Sequence, residues 1–376
     1  MKFTKFFSLM LAAAMFAVGC ESTSTPSPEP GPGGSTTTGA ITLEASATAI
    51  ELGETITFTV MQEGQDVTAA ASIYETATFT VVENPYTPTT TGTFSFYATK
   101  GKESSEIITV TVMASVPELP ADEFPESTKF NHRVLLVDNT GVNCGNCPRV
   151  MDGLEALAET DAHQHYSEAC VHGGGYASPS SDKAYSDAAK IVDQYYRPNG
   201  YPNIQFNFRA GQGDIGNVTS FVNNNTRIIN SLVKAEGADA GISASVSGDS
   251  STVYVTIGVK AAVEQEYRAT AWLLENNIYN PNQSGASKDS HRIHNHALRN
   301  IAGNYSRNDI SGDSIGVISV GEVKEFTFEL PIISTKWNVE NMEVLIIISA
   351  PDANGRYEVV NTAVCPVNST LEYEYL

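Results

Sequence analysis

Basic residues are scarce in this chain. Lysine and arginine number 22 against 43 aspartates and glutamates, a formal charge of −21 over 376 residues. No basic patch or basic amphipathic helix is visible, which excludes binding to nucleic acid or to an anionic membrane surface. Long apolar runs are missing too: the stretch from Phe6 to Val18 is too short to cross a bilayer as a stable helix. No acid–histidine signature of a metallohydrolase occurs. Cysteine is limited to five positions, Cys20, Cys144, Cys147, Cys170 and Cys365. Only Cys144 and Cys147 lie close together, and whether Cys170 and Cys365 are bridged stays open.

What is present begins with an export signal. Lys2 and Lys5 precede the apolar run, and Ala17-Val18-Gly19-Cys20 reads as a lipobox closing a signal peptide over residues 1–19. Cys20 is the expected lipid anchor, placing the protein in the cell envelope and touching the membrane through acyl chains alone. Simple cleavage and secretion is the alternative. Residues 20–40, rich in Ser, Thr, Pro and Gly without apolar period, read as a flexible tether.

The remaining length suffices for two or three domains with proper cores. Over 41–116, Ile56, Phe58 and Val60, then Phe94, Phe96 and Ala98, then Ile108, Val110 and Val112 alternate in period two with glycines at the turns, predicting a small β-sandwich. Residues 117–129, with proline and acid, form a linker. Residues 130–237 alternate strand and helix signals, with helices expected from Asp182 to Tyr196 and from Val218 to Lys234, predicting an α/β domain. Residues 238–376 return to period two and predict an antiparallel β-sandwich. The fold class is thus multidomain, α/β plus all-β.

Cys144-Gly145-Asn146-Cys147-Pro148 is the stretch with chemical content. The apolar run ending at Asp138 predicts a buried strand. Val150, Leu154 and Leu157 then recur at helical spacing, so the pair falls on a strand-to-helix junction with Asn143 as N-cap and Pro148 in the first turn. A helix N-terminus favours an ionised thiol, which makes Cys144 the nucleophile and Cys147 the resolving cysteine. Arg149 reads as a solubilising surface residue or as a charge that favours the thiolate. Such a pair needs no cofactor, and its partner is a protein thiol or disulfide.

These residues resemble the thioredoxin-like superfamily. That resemblance makes Asp138, six residues before Cys144, a buried proton shuttle toward Cys147. It also makes Gly200-Tyr201-Pro202-Asn203 the cis-proline loop, with Tyr201 and Pro202 positioning a substrate chain. Val137 through Pro148 is similar to the signature of Omp28-related outer-membrane lipoproteins, whose thioredoxin-like domain followed by a β-rich domain would span Phe130 to the C-terminus. Leu52 to Phe58 and Gly92 to Ala98 resemble bacterial immunoglobulin-like domains, which implies a spacer or adhesive module.

Two other fates for the pair remain. In one, Cys144, Cys147, Cys170 and His172 hold zinc or copper. In the other the disulfide is structural and the β-domains bind a partner, although a loop this short removes little chain entropy. The polar interruption from Asn276 to Val317, with His291, His294 and His296, reads either as a metal or partner site, the last two sharing one strand face, or as loop polarity tied down by hydrogen bonds.

Overall fold

A computed structural model describes residues 40–113, 117–209 and 211–376. The expected signal peptide, Cys20 and nearly all of the expected tether lie outside the described residues.

Period-two alternation builds the N-terminal unit. Ile41–Ala45, Phe58–Gln62 and Gln65–Asp66 form one sheet, and Ala49–Glu51, Ile108–Met113, Gly92–Lys100 and Ser72–Glu75 a second, with Glu103–Ser104 on its edge. Ile41, Leu43, Phe58 and Val60 from the first meet Phe96, Ala98, Val110 and Val112 from the second in one core. Every second side chain is therefore withdrawn from water, which is what the alternation requires.

The central strand Val134–Thr140 is buried along its whole length because both of its faces are covered. Val134 and Leu136 pack on α1 (Cys147–Ala158) and α3 (Val218–Leu232) through Val150, Leu154, Leu157, Phe221 and Ile229. Gly153 lets α1 and α3 approach, since a Cβ there would lie 2.6 Å from the Phe221 ring. Leu135 and Val137 turn the other way, toward Ala188, Ala189 and Val192 of α2 (Asp187–Tyr196). Tyr166–His172 pairs with the central strand in parallel and Asn203–Phe206 pairs with it antiparallel.

Two helix starts differ from expectation. The N-cap of α1 is Asn146, not Asn143, so Cys144 stands in the turn ahead of the helix and Cys147 is its first residue. Asn143 instead directs its amide to the Ser181 hydroxyl, 3.2 Å away. Helix α2 begins at Asp187, not near Asp182, because the Ser186 hydroxyl accepts from the Ala189 N–H at 3.0 Å and supplies the cap.

The expected break between residues 237 and 238 does not separate two sheets. A single nine-stranded sheet runs in the order Gly211–Gln212, Asn203–Phe206, Val134–Thr140, Tyr166–His172, Ala297–Ala302, Gln265–Glu275, Met342–Pro351, Tyr357–Pro366, with Asp313–Ile318 also pairing to Gln265–Glu275. The joint is short: Cys170 pairs in parallel with Ala297, and the Cys170 N–H donates to the His296 carbonyl at 2.8 Å. The joining strand Ala297–Ala302 lies inside the stretch expected to interrupt the fold.

Across the joint the sheet is backed on one side by a four-stranded sheet (Val323–Pro331, Thr252–Ala261, Ala240–Gly248, Ser369–Leu371). Val255, Ile257, Ala269, Leu273, Ile346 and Ile348 belong to the core between them. On its other face, Trp272, Leu274, Leu298 and Ile347 join the core under α2. One apolar layer thus extends beneath both halves.

Candidate functional site

Cys144 and Cys147 are joined in a disulfide, with Cα atoms 5.5 Å apart. The turn that carries them is pinned from three sides. Asp182 accepts the Val142 N–H at 2.9 Å, and the Ser284 N–H donates to the Val142 carbonyl at 2.8 Å. The Asn143 N–H donates to the Tyr176 carbonyl at 3.0 Å. Gly141 is required by this last contact, because a Cβ would lie 2.5 Å from the Tyr176 oxygen.

Both cysteines are withdrawn from solvent, Cys144 at 2% exposure and Cys147 at 1%. Gly145, Asn146 and Arg149 are exposed. The Gln283 amide donates to the Cys144 carbonyl at 3.2 Å, and the chain at Gly285 comes so close that a Cβ would lie 2.1 Å from the Gly145 oxygen. Gly285 also has φ of +73°, a conformation that favours glycine twice over.

Asp138 lies on the same sheet face as Val134 and Leu136, the face under α1, whose first residue is Cys147. Burial, with Glu168 adding repulsion, pushes its carboxyl well above the usual range, and its Oδ1 has no hydrogen-bond partner. Asp138, Glu168, Cys170 and His172 line a half-open cavity of about 220 Å³ together with Met151 and Leu154 of α1 and with Ile293, His294 and His296. Burial and the neighbouring Glu168 and Asp138 push the Cys170 thiol up, so it stays protonated and faces Glu168 at 3.4 Å.

Asp182, which the sequence marks only as a helix start, organises this region. Burial alone would raise its carboxyl, yet the His172 ring at 2.8 Å and the N–H groups of Val142 and Ala184 outweigh it and hold the carboxyl far below its ordinary value. No spacing rule points to it. Its partners are set by folding.

Pro202 follows a cis peptide bond from Tyr201 and precedes Asn203, which pairs with Asn139 at the dithiol end of the central strand. The Tyr201 hydroxyl donates to the Asp193 carboxylate at 2.7 and 2.9 Å. Its ring centroid is 5.1 Å from that of Tyr176, the residue seated on the dithiol turn.

The metal alternative is not assembled. The Cys144 and Cys147 sulfurs are bonded to each other and offer no thiolate, and among the described residues no group of three or more His, Cys, Asp or Glu side chains is disposed to hold a metal ion. His294 and His296 do not share a strand face, because His296 has φ of +52° and breaks the alternation. His294 is buried edge-on against His172, with ring centroids 4.8 Å apart, while His296 bonds Glu343 at 2.6 Å. Cys170 and Cys365 are separate buried thiols.

Residues 189–368 match the family model described as outer membrane protein Omp28. The match begins beyond the dithiol. Among solved structures the chain is similar to HBP35 of Porphyromonas gingivalis, at 19% identity over 64% of this chain and 77% of that one, with a TM-score of 0.50. At that identity the likeness is one of fold, helices mixed with extensive β-sheet. A β-glucosidase from Kluyveromyces marxianus aligns at 12% identity over 38% of this chain and 15% of its own, with a TM-score of 0.19 that is too low to indicate a shared fold. No curated protein matches the chain.

Proposed function

We propose that this chain is a cell-envelope thiol–disulfide oxidoreductase, anchored on the outer membrane through lipid on Cys20, which exchanges disulfides with a protein partner. One observation carries the proposal: Cys144 and Cys147 form a disulfide at a strand-to-helix turn, and a buried carboxyl with a free oxygen, Asp138, faces the helix that Cys147 begins. In the reduced protein the N–H groups opening α1 favour negative charge on sulfur at the turn. The Cys144 thiolate attacks one sulfur of the partner's disulfide and expels the other as a thiolate. The ionised form of Asp138 then takes the Cys147 proton, and the Cys147 sulfur attacks the Cys144 sulfur, releasing the second partner thiolate. The partner gains two electrons and the pair loses them. Running backward, the same steps oxidise a partner dithiol.

In this proposal Tyr201 and Pro202 position the partner chain at the end of the central strand. The N-terminal two-sheet unit is an immunoglobulin-like spacer and residues 238–376 supply a β-sandwich scaffold. The test is the redox midpoint of the folded part, with single Cys→Ser controls. A midpoint within reach of exchange partners, with Cys147→Ser trapping a mixed disulfide and Cys144→Ser trapping none, is the expected result.

The near-complete burial of both cysteines favours a second function, a structural disulfide in a surface binding protein. A bridge that resists every physiological dithiol would establish it and rule out exchange.

A further inference from the structure

The exchange reaction proposed above needs a sulfur that a partner can reach, and the fold lays a chain segment against the backbone of the turn that carries the nearly buried disulfide. We propose that Asn280–Arg292 is a gate on the Cys144–Cys147 disulfide, and that Lys288 and His291 are the gating residues that decide how readily a thiol enters.

The segment is built as a closed loop on a narrow neck. Ile278 pairs with His294 and Tyr279 with Ile293, and the Asn280 N–H donates to the Arg292 carbonyl at 2.7 Å. Beyond this neck the loop rests on the dithiol turn through the Ser284 N–H on Val142, the Gln283 amide on Cys144, and the Gly285 backbone against Gly145. Few apolar side chains secure that contact. Side chains of α1 fasten the loop further: Lys288 Nζ pairs with Asp152 at 2.8 Å and Glu155 at 2.9 Å, and the buried His291 ring hydrogen-bonds Asp152 through Nε2 at 2.8 Å.

Asp152 and Glu155 lie on α1, the helix that begins with Cys147. Lys288 is 45% exposed, so its ion pairs are weak and salt-sensitive, a latch suited to opening. The dithiol turn, by contrast, is held from below by the buried Asp182 and does not depend on the loop alone. A cover whose lysine ion pairs face solvent, over a turn held by the buried Asp182, can lift while the turn keeps its shape.

The proposal is tested on the full chain by the rate at which dithiothreitol reduces the disulfide, the reagent being oxidised to its own cyclic disulfide. Lys288→Ala should accelerate reduction about three- to ten-fold, and Lys288→Arg should return it to the parental rate. Raising ionic strength should accelerate the parent and leave Lys288→Ala unchanged. Hydrogen exchange should quicken at Gln283, Ser284 and Gly285 in Lys288→Ala, with Val134–Thr140 unaltered. Rates within twofold of the parent for Lys288→Ala and for Lys288→Ala/His291→Gln would overturn the gate, as would exchange that quickens equally along Val134–Thr140. If Cys147→Ser traps no mixed disulfide, the exchange function fails, while the rate comparison still decides whether the loop controls access.

Discussion

Cys144 and Cys147 are shielded from solvent as completely as Cys170 and Cys365, but by different means. Cys170 and Cys365 sit within strands of the nine-stranded sheet, and burial pushes both thiols up, helped at Cys170 by two nearby carboxyls. Exposing either would require breaking the sheet. The disulfide sits in a turn at the sheet's end, beneath a loop fastened by two exposed ion pairs from one lysine. Equal burial therefore conceals unequal accessibility, because local opening costs far less at a loop than in a core strand.

The largest expected effect separates the two pairs outright. Cys144→Ser abolishes exchange, measured as turnover with a protein disulfide substrate, whereas Cys170→Ala leaves turnover within about twofold. Equality of the two variants would erase the comparison. Next in size, on the proposed transfer of the Cys147 proton to Asp138, Asp138→Asn should slow exchange at neutral pH by about 10- to 100-fold.

The same Asp138 variant carries a stability signature with a definite sign. A carboxyl whose folded value is raised keeps its proton in the fold above the pH where the unfolded chain releases it, so its contribution declines as pH climbs toward the folded value. Asp138→Asn should thus gain in melting temperature over the parent, by about 2–4 °C, in alkaline buffer and not in acid.

Asp182→Ala tests what holds the dithiol turn. Loss of the acceptor for the Val142 N–H and the His172 ring should cost about 2–4 kcal/mol in urea unfolding.

His294 and His132 sharpen the contrast between core and loop. Burial, with His172 beside His294 and Lys234 beside His132, lowers them to about 3 and about 4. Unfolded, each binds a proton near 6.5, so the unfolded chain holds more protons below that pH and stability falls as pH drops toward the folded values. His294→Gln should shrink the loss between pH 7 and pH 5 by about 2 kcal/mol. His296, raised to about 9 because Glu343 overcomes its burial, works oppositely: its contribution is complete below 6.5 and is lost as pH rises through 9. The smallest effect is the stability cost of Cys170→Ala, about 1 kcal/mol for a small buried side chain.

Much of this was legible in the residues. Val134–Thr140 and α1 stand where apolar runs and helical spacing put them, and Cys144 and Cys147 at two-residue spacing marked the chemistry. Helix α3 begins at Val218 as its pattern requires. What stayed hidden was Asp182, which looked like the start of a helix, and the joining strand Ala297–Ala302, whose Arg299 and Asn300 disguise its buried neighbours. Arg299 is buried because it meets Glu275 at 2.7 Å, a pairing with no local signature.

The sequence by itself determined the strands, the helices and the position of a dithiol at their junction, because periods of 2 and 3.6 and a short cysteine spacing are properties of neighbouring residues. Only the tertiary structure decided that the α/β half and the β-rich half share one sheet through Cys170 and Ala297, and that Gln283 reaches back across 139 positions to bond the Cys144 carbonyl. Those contacts depend on which distant surfaces fit once both halves have formed, and a linear pattern carries no record of that fit.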